Sequence, residues 1–100
     1  VSLQVLERLA AASIRIVPAL DLTRHFLLER NGVVALVERS GDGFGKPGAP
    51  GLLTERGFAA LVWRGDEAWF IAKGLEQPAK PEQVAELRRF ADDLRQALGT

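Results

Sequence analysis

The sequence predicts an α+β domain: an antiparallel sheet of four or five strands with N- and C-terminal helices packed on it. Three observations predict it. A helical apolar stripe opens the chain and a stronger one closes it. Between them lie two runs of strand-forming residues, each folded about a two-residue turn. The length of 100 residues fits one domain spanning 1–100 and is enough for a single core. The chain lacks methionine and begins at Val1, which fits a processed chain or a piece of a longer protein.

Residues 2–12 read as a helix with Ser2 as its N-cap. Leu3, Leu6 and Ala10 form one apolar line, and Val5, Leu9 and Ala12 form a second beside it. A stripe that wide belongs on a sheet. Residues 13–17 alternate as a short strand that Pro18 ends.

Residues 25–39 read as a hairpin about Asn31-Gly32, a pair that tolerates the positive φ a type I′ turn demands. The competing reading is a helix over 22–30, capped by Asp21. Residues 40–57 carry so much glycine and proline that the sequence predicts a Gly/Pro-rich loop, with at most one turn or a short strand over 52–56. A second hairpin spans 58–73 about Gly65-Asp66, and 75–80 is a connector.

The closing helix over 81–98 is the clearest element. Pro81 suits its first position and Glu82 its first turn, while Gly99 suits the position after its end. Val84, Leu87, Ala91, Leu94 and Leu98 make its stripe, with Phe90 alongside. Arg88, Arg89, Asp92, Asp93 and Arg95 occupy the wet side.

Residues directly opposed in an antiparallel pair share a face. The first turn sets Leu28 against Ala35 and Leu27 against Leu36; the second sets Trp63 against Ala68 and Val62 against Trp69. Both faces then carry apolar residues, and the two tryptophans point opposite ways. A lone two-layer antiparallel sheet normally keeps one face polar. This sheet needs cover on both, and two helices supply one. The other face is assigned to a partner: a second copy of the chain or another protein domain, with Trp63, Trp69, Phe70 and Phe26 as the interaction surface. Cover by the 40–57 loop is the competing arrangement.

Chemistry is less marked. Cysteine and tyrosine are absent and there is one histidine, so thiolate catalysis, phenolic acid–base work and multi-histidine metal sites are excluded. Gly43, Gly45, Lys46 and Gly48 spell a G-x-G-x-x-G pattern, but Pro47, Pro50 and Gly51 stand where a nucleotide-binding helix would open. A backbone nest beside Lys46, holding an anion, is the function left to them. His25 faces Glu38 in the first hairpin with no nucleophile implied. A net charge of +0 and the Asp92-Asp93 break in the last helix argue against nucleic acid. No run is long and apolar enough to span a membrane.

The sequence thus predicts a non-enzymatic interaction or assembly domain, homodimeric, with no cofactor and with the cytoplasm as default compartment. The alternatives are an anion- or small-ligand module on the glycine-rich segment, and an enzyme with an inter-subunit site around His25.

Overall fold

The structure is a computed structural model that describes residues 2–18 and 22–99. Helix α1 (Leu3–Ala11) is followed by strands β1 (Arg15–Val17), β2 (His25–Arg30), β3 (Val33–Ser40), β4 (Gly43–Pro47), β5 (Gly51–Thr54), β6 (Gly57–Arg64), β7 (Glu67–Ala72) and β8 (Leu75–Pro78). Helix α2 (Pro81–Leu98) closes the described chain.

The sheet is a fully antiparallel meander in the order β1-β2-β3-β5-β6-β7-β8, with β4 paired to β3 beside that path. It curls into a half-barrel of seven to eight strands, which replaces the expected sheet of four or five. The added strands come from the Gly/Pro-rich segment and from the supposed connector. Strand β3 is long enough to hold two short partners end to end on one edge. Its Val37, Arg39 and Ser40 pair with β4, and its Val33 and Val34 pair with β5. Gly48 N–H donates to the Leu36 carbonyl across the jog between them. An open edge offers a row of backbone donors and acceptors, and these recruit a segment whose own composition would not extend it.

Gly51 shows why glycine is needed there. A Cβ on it would sit 2.3 Å from the Ala59 carbonyl oxygen and 2.8 Å from the Phe58 ring. Its φ is not positive, so the requirement is for space rather than for conformation. Beyond β7, Gly74 takes φ 75° and turns the chain back, so that Leu75 pairs with Ala72 and Pro78 with Trp69.

The two hairpins and their registers stand as the turns dictate. Asn31 and Gly32 both take positive φ, and Leu28 opposes Ala35. Residues 25–30 are therefore strand; the alternative helix cap, Asp21, lies outside the described residues.

Helix α1 is capped by Ser2, which accepts from Gln4 N–H, and α2 ends in Gly99 with a left-handed φ of 78°. Helix α2 lies in the concave side of the sheet against β3 and β4, and α1 packs against α2 rather than flat on the strands. The core between helices and sheet holds Leu28, Val37, Phe70, Leu87, Phe90 and Leu94, all at or below 1 % exposure. Of the two lines on α1, Val5, Leu9 and Ala12 face this core; Leu3 and Leu6 stay exposed.

Candidate interaction surface

Among the described residues, the outer face of the sheet carries no helix. One unbroken row of paired residues crosses it: Arg15, Glu29, Val34, Gly51, Ala60, Ile71 and Glu76. The row begins and ends with charge, and its middle is apolar. Leu27, Leu36, Leu53, Phe58, Val62 and Trp69 alternate onto the same face by the same registers.

Part of this surface is closed by the chain itself. Val34 is fully buried although it lies outside the helix-side core. The Phe58 ring fills the space above Gly51, the residue paired to Val34. Around it the face is open: Leu53 on β5 is 42 % and Val62 on β6 38 % exposed, and Trp69 on β7 is half-buried.

Ion pairs flank the apolar region on both sides. Arg15 Nε donates to Glu29 at 2.9 Å, with the Glu29 side chain 14 % exposed. The Arg15 hydrogen bond holds the Glu29 carboxyl below its usual range, helped by the Arg15 charge and the Gly32 backbone and opposed by burial. At the other end Arg64 pairs with Glu76 at 2.6 Å, and its guanidinium stands 5.2 Å from the centre of the Trp69 ring.

The four residues assigned to the surface from sequence divide. Trp63 and Trp69 lie on opposite faces as the register requires, Trp63 on the helix side at 52 % exposure. Phe70 is fully buried in the core, so it presents nothing to a partner. Phe26 is held inside the chain, with Phe44 4.7 Å away and Arg39 4.0 Å above its ring. The face instead exposes Leu53 and Val62. Their signal was present in the alternation of each strand, but Leu53 fell in the segment read as loop.

The residues of the expected anion nest, Gly43, Gly45, Lys46 and Gly48, lie in or just after β4. Gly43 and Lys46 are in β4, with Gly43 paired to Ser40, and the Gly48 N–H is spent on Leu36.

His25 does face Glu38, in a shallow cleft with Thr23, Arg24 and Arg39, and no hydrogen bond links the two among the described residues. No buried polar or charged side chain and no group of three metal-binding side chains occurs among the described residues. Neither helix is long and apolar enough to cross a membrane.

One functional-looking residue that sequence reasoning missed is structural. Arg30 donates to Asp93 at 2.9 Å and to the Ala12 carbonyl at 3.0 Å, and lies 5.6 Å from the Phe90 ring centre. It ties β2 to the end of α1 and the middle of α2. The sequence matches no protein-family model, and comparison with curated proteins and with solved structures returns no match.

Proposed function

We propose that this domain is a non-enzymatic interaction module that pairs with a second copy of itself through the outer face of its sheet. The observation that carries the reading is the helix-free face on which Leu53 and Val62 stand exposed beside Trp69. An apolar area rimmed by charge is the usual anatomy of an association surface.

Three features favour a second copy. The rim has Arg15–Glu29 at one end and Arg64–Glu76 at the other. A two-fold axis through the face lays each end over the opposite end, so that each cation can meet the facing anion. The net charge of +0 leaves no repulsion between copies. The two end strands do not compete: β1 has 3 residues and is followed by Pro18, and β8 has 4 and ends in Pro78. Short edges with proline resist strand-to-strand addition. The curl limits the area of contact, so the pairing is weak, with a Kd on the order of micromolar.

Sedimentation velocity across concentration tests this. The expected result is a monomer–dimer equilibrium that Val62→Glu shifts to monomer by about tenfold or more, since a buried unpaired carboxylate opposes contact. A wild-type chain that stays monomeric at tens of times the expected Kd contradicts the proposal, as does a Val62→Glu chain that dimerises equally well.

A further inference from the structure

On the helix side, α2 is too narrow to fill the concave sheet, and a trough runs along its length. Cavities of about 440 and 470 Å³ meet at Trp63, Val84 and Arg88. A third, of about 420 Å³, continues the second past Pro50, Ala91 and Arg95. Each is within the size range of small-ligand sites.

The middle cavity has apolar walls: Pro50 and Leu61 on the sheet side, Leu87 and Ala91 on the helix. Trp63, half-exposed, flanks it. The charged residues that line it are Arg88, Asp92 and Arg95. Arg95 is already paired with Asp92, whereas Arg88 has no ion-pair or side-chain hydrogen-bond partner among the described residues. Asp66 and Glu67 line only the first cavity, beyond Trp63. Lys46, also without an ion-pair partner among the described residues, edges the third cavity, so Arg88 is the one uncommitted cation of the middle cavity.

We propose that this trough binds an amphipathic carboxylate, its unbranched acyl chain lying between Leu61 and Ala91 and its carboxylate on Arg88. The planar fork of a guanidinium matches a carboxylate better than it matches a neutral hydroxyl. Asp66 and Glu67 repel the head group from the far end and so direct the tail toward Pro50 and Ala91. The serial arrangement of the three cavities suits a linear tail rather than a compact ring. This site lies on the opposite side of the sheet from the association face, and either can fail without the other.

The tryptophans make the test separable. In Trp69→Phe, Trp63 is the sole emitter. Titration with decanoate, kept below the concentration at which it forms micelles, is compared with decanol. The expected result is a saturable blue shift of Trp63 emission at one site per chain, with decanol bound about tenfold more weakly. Arg88→Gln lowers the decanoate affinity about tenfold and leaves decanol unchanged. No saturable shift with decanoate overturns the proposal, and so does equal binding of decanoate and decanol. Decanoate binding that Arg88→Gln leaves intact also overturns it. The decanol comparison uses no change at Arg88 and holds even if that variant fails to fold.

Discussion

Arg30 holds the two layers together through one side chain. It is 14 % exposed while its partner Asp93 is 44 % exposed, so the burial falls on the arginine. Replacing it with Met keeps the stem over Phe90 but leaves the Ala12 carbonyl and Asp93 without their donor. Arg30→Met is expected to lose about 2–3 kcal/mol in urea unfolding, the range for losing hydrogen bonds to a charged group. Asp93→Asn should lose less, because its carboxylate is already wet. Sequence alone could not pair these residues: 63 positions separate them, and Asp93 read as part of a solvated helix face.

Glu29 gives the fold a defined acid response. Its carboxyl is held below the ordinary value of 4.5, chiefly by the Arg15 hydrogen bond. A depressed folded-state pKa means that the unfolded chain takes up the proton first. The stabilisation is therefore complete above pH 4.5 and fades as pH falls through the folded-state value. Glu29→Gln should be less stable at neutral pH and show a flatter loss of stability below pH 4.5, read from urea midpoints across the acid range. Glu86, lowered by Arg89, adds a parallel contribution on α2 that this variant leaves in place.

Among the elements, those with their own periodicity or turn chemistry were legible. Both helices, with Ser2, Pro81 and Gly99 at their ends, follow from side-chain spacing and capping. Asn31-Gly32 and Gly65-Asp66 fix two hairpins, and with them the faces of Trp63 and Trp69. Strands β4 and β8 were not legible, and β5 was legible only as one of two options over 52–56. Their extended form is supplied by neighbours: β3 offers an edge to β4 and β5, and β7 offers one to β8. Propensity reads a residue against its own chain and is blind to such an edge.

Gly51 is where this dependence can be measured. Gly→Ala at a position that tolerates alanine gains up to about 1 kcal/mol through the unfolded chain. Here the added methyl meets the Ala59 backbone, which cannot move without disturbing β6. Crowding of this kind costs about 1–3 kcal/mol and outweighs the gain. Gly51→Ala is expected to be destabilised on thermal unfolding, with the β5 amides losing hydrogen-exchange protection ahead of β6. A neutral or stabilised variant would mean that β5 is not held against β6 as described.

At the scale of the whole molecule, the chain is a curled sheet with two unlike sides. Among the described residues, the inner side has two helices and an open trough, and the outer side has Phe58 and its own ion pairs as cover. Alternation within each strand made both apolar faces legible in the sequence. The strand count, the curl and the placing of α1 on α2 came from pairings between distant segments, and they decide which apolar residues stay open. Thus Phe70 is interior, whereas Val62 is at the surface.

The outer face is the centre of the account, and Trp69 reports on it directly once Trp63→Phe removes the helix-side emitter. Acrylamide quenching of this variant should fall as its concentration is raised through the micromolar range, because the second copy closes over Trp69. Trp63 in Trp69→Phe should keep constant quenching over the same range. Quenching of Trp69 that does not change with concentration would contradict association through this face.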